Sequence, residues 1–384
     1  MKTRNLRRIL IGLFVIAIVA IFFNNCSKGF QSAASFGNGS AQSASTSPVG
    51  PNSTGINTST PAILSVSGTI KEGSTISIIG SGFGLKSPAA PLYWGNYDND
   101  PVGTTAQQTG LKNLNGYDPN PPRVDNTRAV SGTHSLRMDY PLNENGSFPE
   151  VGLSGLSATE VYVSAWLYWQ LDSGSGNEIP IIKLVRAEAG TVYHGYPGFY
   201  ETIRPNAAGQ IIGTDRGSIS SNGTVTNDDV VNAGQNAGGW HRIEYYYKLS
   251  TPGVANGVFQ TWVDGVLNAN VTNTMSRAAG NTATINNIIS PFDGISGQNN
   301  ANSYTLWVDN LYIDTTRARV EIGNAATFSK CTMRFIQPAT SWSDGSISVT
   351  VNLSQFTSGE KVYVYVVAPN GNVNNNGFPV TVGG

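Results

Sequence analysis

Short runs in which apolar and polar residues alternate follow one another along most of the chain, separated by Gly, Asn, Asp and Pro. A period of two is typical of strands that bury one face. The pattern predicts strands at 161–169, 179–187, 240–249, 258–266, 304–313, 347–351 and 361–367. The same region lacks a convincing helical period, so we predict an all-β protein built from packed sheets.

The N-terminus has a different pattern. Basic residues up to Arg8 lead into an unbroken apolar run at 9–23, the order found in secretory signals. The run is shorter than the about 20 apolar residues of a comfortable membrane span. Cys26 follows and opens a polar tract. The segment 1–26 therefore predicts export.

This arrangement resembles a bacterial lipoprotein signal, in which the cysteine becomes the lipidated first residue of the mature chain. The resemblance implies lipidation at Cys26 and a place in the cell envelope, at the outer membrane. Phe23, Asn24 and Asn25 depart from the leucine and small residues usual in such signals. An uncleaved N-terminal anchor is the alternative, and it also leads to a membrane.

Composition limits the classes of partner. Only 12% of the 384 residues are charged and the formal net charge is -1, so nothing indicates a nucleic-acid surface. Beyond Cys26 the only cysteine is Cys331, which leaves no intramolecular disulfide and no thiol cluster for a metal. With 39% hydrophobic residues, the chain is long enough for a sizeable core, most plausibly in two units.

Residues 27–60 are mostly Ser, Gly, Ala, Asn, Thr and Gln, and Lys28 is their one charge. Such a composition buries too little apolar surface to fold. We predict a disordered tether that holds the folded part away from a membrane.

Two distant parts of the chain contain segments that belong together in one type of domain. Residues 61–84 read PAILSVSGTIKEGSTISIIGSGFG and end in a turn with Gly80, Gly82, Phe83 and Gly84. The segments RVEIGNA (319–325), SWSDGSISVTV (341–351) and VYVYVVAPNGNVNNNGFPVTV (362–382) come much later. Together they resemble the IPT/TIG domain, an immunoglobulin-like sandwich, whose opening strands match the first segment and whose closing strands match the others.

We therefore predict one split domain, formed by 61–87 and 317–384. The first piece is too short to bury a core alone, and the second lacks the strands that cover its inner face. An insertion is tolerated where the ends of the guest domain lie close together. Two separate small β units flanking a larger one are the alternative.

The intervening residues 88–316 contain SGTHSLRMDY, VYVSAWLYW, GWHRIEYYYKL, GVFQTWVDGVL and YTLWVDNLYID. These segments resemble the strands of a concanavalin A-like jelly roll of the lectin, glucanase and LamG type. The resemblance implies a domain that binds carbohydrate or cleaves it. Function lies in the site rather than in the fold, so the fold alone does not choose between them.

A retaining glucanase on this scaffold needs alternating acids on one strand. Glu244 and Asp264 have no acidic partner two positions away, so this activity is not predicted. A lyase needs Tyr and His as acid and base, and His194, Tyr196 and Tyr200 share a face if their segment is a regular strand. The glycines and the proline at 195, 197 and 198 suggest a bend, so a simple aromatic loop is the alternative.

A lyase also needs cations that neutralise a uronate. Lys183 and Arg186 are the candidates in the preceding strand, but they are separated by an odd number of positions. In a flat strand they point to opposite faces and cannot both line one groove. This argues against the lyase.

For binding, aromatic side chains that stack on sugar rings are the useful feature. Tyr162, Trp166 and Tyr168 share one face of the predicted strand 161–169 and are our ligand-binding candidates. Packing between sheets is the alternative role. Some jelly rolls of this type hold a structural calcium between the first and last strands, so the resemblance implies Asp98 and Asp309 as candidate ligands, with ordinary turn and edge aspartates as the alternative. No other cofactor is predicted.

Taken together, the sequence predicts an envelope-anchored surface lipoprotein. Its jelly roll is predicted to bind a polysaccharide or cell-surface glycan without catalysis and to act in adhesion, while its N-terminal lipid contacts the membrane. A polysaccharide lyase on the same jelly roll is the alternative, followed by a structural envelope protein. Whether the chain is an enzyme stays open.

Overall fold

The computed structural model describes residues 59–114, 120–140, 150–174, 181–189, 198–205, 211–219, 225–230, 239–293, 295–296 and 302–383. Within these ranges the regular elements are antiparallel strands, apart from one turn of 3₁₀ helix at Phe328–Lys330. The all-β prediction is confirmed. Among the described residues, no helix is long and apolar enough to cross a membrane.

A small sandwich is formed by two sheets of four strands each. Its first sheet contains, in spatial order, β1 (Ala62–Ser67), β2 (Thr75–Ser81), β22 (Ser346–Thr350) and β21 (Ala339–Trp342). Its second sheet contains β20 (Arg334–Gln337), β19 (Arg319–Gly323), β23 (Lys361–Val367) and β24 (Phe378–Thr381). Ile76 and Ile347 of the first sheet share one buried core with Ile322 and Val364 of the second.

This sandwich is discontinuous in sequence. Strand β2 pairs with β22, so that Ile76 lies opposite Val349. The glycine turn after β2 is also tied to the distant segment, because the N–H of Gly84 donates to Asp344 at 2.8 Å and Trp342 Nε1 donates to the Gly84 carbonyl at 3.1 Å. The turn requires glycine, since Gly84 has φ +72 and a Cβ there would lie 2.7 Å from the Pro369 ring. The domain boundaries and the IPT/TIG assignment stay predictions.

The residues between the two halves leave and return at one place. Lys86 Nζ lies 2.7 Å from the carboxylate of Asp314, and both side chains are buried. The phenol of Tyr312 joins them, donating to Asp314 at 2.7 Å and accepting from Lys86 at 3.0 Å. Ends that meet in this way are what an inserted domain needs, because the host then closes around them without strain.

The large sandwich also has two sheets. The first contains β15 (Val266–Thr274), β14 (Gly257–Val263), β13 (His241–Lys248), β8 (Glu160–Gly174), β18 (Asn302–Asp314), β6 (Ser135–Tyr140) and β5 (Arg123–Asp125), with β3 (Tyr93–Gly95) beside β18. The second contains β12 (Val225–Val230), β11 (Ile211–Ile219), β10 (Gly198–Pro205), β9 (Ile181–Ala189), β16 (Ile285–Asp293), β7 (Glu150–Ala158) and β4 (Lys112–Asn113), with β17 (Ile295–Ser296) beside β9.

One predicted strand is two. The run 258–266 is interrupted by a tight turn between β14 and β15, where Asp264 has φ 49 and Gly265 has φ 78. Two consecutive positive φ values are the geometry of a two-residue hairpin turn, for which Asp-Gly is a preferred sequence.

Strand β8 shows how the sandwiches are joined. Its positions Val161, Val163, Ala165, Leu167 and Trp169 lie in the core between the two large sheets. The opposite face is buried as well, because it packs against the small sandwich: the Trp166 ring stacks on Phe335 at 5.1 Å between centroids. Both faces of this strand are therefore internal from Val161 to Leu167.

A buried ionic network lies in the same contact. Glu321 on β19 of the small sandwich is fully buried and is surrounded by three arginines: Arg242, Arg319 and Arg334. Arg242 on β13 of the large sandwich donates to both oxygens of Glu321, at 3.0 and 3.1 Å. Arg319 and Arg334 donate at 2.6 and 2.7 Å. These arginines hold the pKa of Glu321 well below its ordinary value, although burial opposes them.

A second carboxylate completes the network. Glu244, two positions along β13, accepts at Oε1 from the phenol of Tyr162 at 2.5 Å and from Arg242 and Arg319 at 3.2 Å each. Burial raises the pKa of Tyr162, so its hydroxyl stays a donor. Charges from both sandwiches thus compensate each other away from water.

Substitution Glu321→Gln tests this network. Because it leaves three buried arginines short of one carboxylate, we expect the free energy of unfolding at neutral pH to fall by about 3–5 kcal/mol. A carboxylate whose pKa is depressed by folding stabilises the protein above its unfolded pKa, and that contribution is lost as the pH falls through the folded value. The wild type should therefore lose stability below about pH 4.5 relative to the variant.

Urea unfolding between neutral and acidic pH measures both effects. Glu360→Gln is the matched control, since Glu360 is exposed and accepts only a local hydrogen bond from the Thr357 N–H. Equal pH dependence in the wild type and in Glu321→Gln would contradict the network's role.

Candidate functional site

The second large sheet has a polar outer face. On β9, Val185 and Ala187 point into the core, and the alternating positions Arg186 and Glu188 belong to the other face. Both are nevertheless buried, with 7% and 1% of their surface exposed. Buried charged side chains are uncommon and need partners, and they occur both at functional sites and in structural ion pairs.

Arg186 lies between two acids. Its Nη1 is 3.3 Å from Glu188 Oε1 and its Nη2 is 3.8 Å from Glu150 Oε1, on β7. Glu150 is also buried. A buried arginine with two carboxylates around it has no surplus positive charge. Arg186 is therefore placed to hold the acids in position rather than to neutralise a further anion by itself.

The register of β9 with β10 brings a second basic position to this face. Tyr200 lies opposite Arg186, and Thr202 lies opposite Lys183, with a shift in register between Glu201 and Thr202. Tyr200 and Thr202 are two positions apart on β10, so their backbone positions belong to the same face. The residues that pair with them, Arg186 and Lys183, belong to it too.

This corrects the expectation that Lys183 and Arg186 lie on opposite faces. That expectation assumed a flat strand, whereas β9 has an extra residue at the irregularity. Such a bulge reverses the alternation beyond it and is common beside active sites. The argument against a lyase that rested on their odd spacing therefore fails.

The other lyase candidates lie partly outside the described residues. His194 and Tyr196 fall within 190–197 and have no described placement. Tyr200 lies on β10, where the structure gives its backbone register. The acids Glu150 and Glu188 were not predicted, although the alternation Arg186, Ala187, Glu188 after a hydrophobic run was a signal for a charged face.

The predicted ligand-binding aromatics are mostly internal. Tyr162 is 1% exposed and Trp166 is 9% exposed, and both lie in the contact with the small sandwich. Tyr162 and Trp166 therefore have the alternative role, packing between sheets. Tyr168 is only half-buried, and the guanidinium of Arg128 lies 4.3 Å from its ring centre. The prediction of aromatic stacking on a sugar now depends on Tyr168.

Asp98 and Asp309 are hydrogen-bond acceptors for backbone. Asp309 accepts at Oδ2 from the N–H groups of Val130 and Ser131, at 2.9 and 3.0 Å, and at Oδ1 from its neighbour Asn310 at 2.6 Å. Asp98 accepts from the N–H groups of the loop at 133–134. Burial raises the pKa of Asp309 to about 8.

These two acids fit a calcium ion poorly, because the Asp309 oxygens are already directed at N–H donors. The described residues also contain no group of three or more His, Cys, Asp or Glu that could hold a metal. Calcium at Asp98 and Asp309 stays a prediction.

Fold and site define the class as an all-β protein of two sandwiches, the larger carrying a buried charged cluster on the outer face of one sheet. Comparison with solved structures finds polysaccharide lyases at low similarity. An alginate lyase in complex with alginate trisaccharide is 14% identical, with a TM-score of 0.42, and the match covers 60% of this chain and 100% of that one.

An endo-β-1,4-glucuronan lyase from the fungus Trichoderma reesei is 14% identical, with a TM-score of 0.40 and coverage of 59% of this chain and 96% of that one. An alginate lyase from Chlorella virus is 11% identical, with a TM-score of 0.36 and coverage of 56% and 91%. No protein-family model and no curated protein matches the chain. Likeness of this degree carries no information on reaction or ligand.

Substitution Trp166→Ala separates packing from ligand binding. If the ring is an internal contact, its removal leaves a cavity and lowers the free energy of unfolding by about 3–5 kcal/mol. For Tyr168→Ala, on the same face but half-buried, we expect about 1 kcal/mol. Denaturant unfolding gives both values, and a Trp166→Ala protein of unchanged stability that loses glycan binding would restore the ligand role.

Proposed function

We propose that the chain is a glycan-active protein whose larger sandwich cleaves a uronate polysaccharide by β-elimination, at the outer face of the sheet that contains β9 and β10. The observation that supports this most is the register of the two strands, in which Tyr200 lies opposite Arg186 and Thr202 opposite Lys183. A phenol and a cation on one sheet face are the groups that such a reaction requires.

The reaction assigns a role to each position. Lys183 pairs with the uronate carboxylate, which stabilises the negative charge that develops when the neighbouring carbon loses its proton. The phenolate of Tyr200 removes that proton and becomes the neutral phenol, the bond to the leaving sugar oxygen breaks, and a carbon–carbon double bond forms. The leaving oxygen takes a proton from Tyr200, so the residue is regenerated.

Arg186 is the positioning residue. Held between Glu188 and Glu150, it links β9 to β7 across the intervening strand β16. Because the charge of Arg186 is compensated by these acids, the proposal assigns the substrate carboxylate to Lys183.

Lyase activity is measured on the full chain by the ultraviolet absorbance of the unsaturated product, with alginate and polyglucuronate as polyuronates and a neutral glucan for comparison. We expect Tyr200→Phe to lower kcat by about 10²–10⁴-fold, the usual contribution of one acid–base group. Lys183→Ala should lower kcat/KM on polyuronates for lack of charge neutralisation. Product from the neutral glucan is not expected.

The matched controls are Tyr363→Phe and Lys248→Ala. Tyr363 lies on β23 of the small sandwich, and Lys248 is an exposed residue at the end of β13 in the other large sheet. Full activity in Tyr200→Phe, or equal losses in test and control variants, would refute the assignment.

Non-catalytic glycan binding is the second candidate, favoured by the half-buried Tyr168 with the indole of Trp307 beside it at 5.8 Å between ring centroids. If polyuronates bind, no product forms and Tyr168→Ala abolishes the binding, this function replaces the first. Adhesion then follows from the same surface.

We further propose that a lipid on Cys26 anchors the chain at the cell envelope. We expect Cys26→Ala to move the protein from the membrane fraction to the soluble fraction, because a single N-terminal lipid anchor is then absent. Cell fractionation with Cys331→Ala as the control measures this. A variant that stays in the membrane fraction supports the uncleaved anchor instead.

A further inference from the structure

A cavity of about 150 Å³ lies between the sandwiches, beside the ionic network. Two hairpin turns contribute glycines to its wall: Gly265 between β14 and β15, and Gly371 after β23. A Cβ at Gly265 would lie 2.9 Å from Arg334 Nη2, and one at Gly371 would lie 2.0 Å from Arg317 Nη2. The glycines therefore leave room for two guanidinium groups in the wall of the cavity.

Polar atoms of the wall are left without hydrogen-bond partners. Arg317 Nε and Glu244 Oε2 are both buried and make no hydrogen bond within the described part of the chain. Arg334 Nη2 lies 3.8 Å from Glu244 Oε2, which is beyond hydrogen-bond distance. Glu244 is only 2% exposed, so water outside the protein does not satisfy it.

The acids of the cluster are hydrogen-bonded to groups other than Arg317. Glu244 and Glu321 pair with Arg242, Arg319 and Arg334, while Glu160 accepts from Tyr246, whose ring lies 4.6 Å from the Arg317 guanidinium. Asp264, the next acid along the hairpin, is engaged by His241 and by the backbone N–H of Arg242.

The hydrogen bonds of the Arg317 guanidinium go to neutral groups. Its Nη1 donates to Gln260 at 2.7 Å and its Nη2 to the Asn370 carbonyl, so both partners are neutral. Burial lowers the pKa of Arg317, and the neighbouring Arg319 acts in the same direction. A carboxylate at Nε would supply the charge-assisted hydrogen bond that the side chain lacks.

We infer that this cavity binds one small hydroxy-carboxylate, with the carboxylate on Arg317 and Arg334 and a hydroxyl donating to Glu244. The unpaired donor and the unpaired acceptor on one wall select a ligand that carries both groups. The volume is well above the roughly 10–15 Å³ that one water needs on the same measure, so the cavity has room for a small molecule. Trp262 and Val373 supply apolar walls for its carbon skeleton.

This site is separate from the proposed lyase face and does not depend on that reaction. Its groups come from β13, β19 and β20 and from the hairpin turns, whereas the lyase face is on β9 and β10. Binding in the cavity is measured without substrate turnover. The cavity proposal can therefore be wrong while the lyase proposal is right, and the reverse.

Isothermal titration of the full chain tests the inference with D-glucuronate as the probe. Glucose, which lacks the carboxylate, and acetate, which lacks hydroxyl groups, should each bind at least about tenfold more weakly, since each loses a hydrogen bond to a charged group. Arg317→Gln should weaken glucuronate by about tenfold or more, and Val373→Phe should abolish binding by filling the cavity. Arg123→Gln, at an exposed arginine on β5, is the matched control.

A second measurement needs no variant. In arginine side-chain NMR spectra of the wild type, glucuronate should shift one buried Nε–H resonance and glucose should not. Equal binding of glucuronate and glucose, unchanged binding by both Arg317→Gln and Val373→Phe, or an unperturbed Nε–H spectrum would overturn the inference.

Discussion

The carboxylate of Glu321, held by arginines from both sandwiches, fixes how the two halves of the molecule are arranged. Removing such charges from water costs several kcal/mol per ion, and only close geometry and complete hydrogen bonding return it. Arg242 reaches Glu321 with both Nη atoms from the larger sandwich, while Arg319 and Arg334 approach from the smaller one. Any sliding of one sandwich on the other would leave buried charges uncompensated. The network therefore selects one arrangement more than it adds net stability.

That arrangement decides which surface remains for a ligand. The sheet that contains β8 uses its outer face for the contact, so Tyr162 and Trp166 are enclosed. None of the described residues that form the core of the small sandwich belongs to the other large sheet. The outer face of that sheet carries Arg186 and Glu188. The insertion ends also support this division, because the Lys86–Asp314 pair closes the larger sandwich on the side of β18.

Much of the fold followed from periodicity. The alternation along 161–169 gave both faces of β8, and the period-two run 361–367 coincides with β23. The contact between sandwiches was not evident, because a buried aromatic face and an open sugar-binding face have the same sequence pattern. A usable signal was present in the repeated Arg-x-Glu of β13 and β19, where Arg242 and Glu244 match Arg319 and Glu321. Charged pairs alternating with apolar residues on two strands indicate a buried ionic contact.

The candidate site was harder to predict, because it depends on one extra residue in β9. Alternation along a strand is a rule for regular pairing, and no residue between Lys183 and Arg186 marks a bulge as glycine or proline would. Only the pairing with β10 reveals that the alternation of side chains between the two faces shifts by one residue. Which charges share a face is therefore determined by the backbone register between two strands, and the sequence of one strand does not specify that register.

The ionic network also accounts for the cavity beside it. The hydrogen bonds of the network are unevenly distributed between its two central carboxylates. Glu321 accepts at both oxygens from three guanidinium groups, while Glu244 is satisfied at Oε1 and left open at Oε2. Closer packing around Glu244 would require apolar groups against an unpaired carboxylate oxygen, which is costly. Space at this point is thus a consequence of the charge arrangement that joins the sandwiches, and the unsatisfied atoms lie where that arrangement is incomplete.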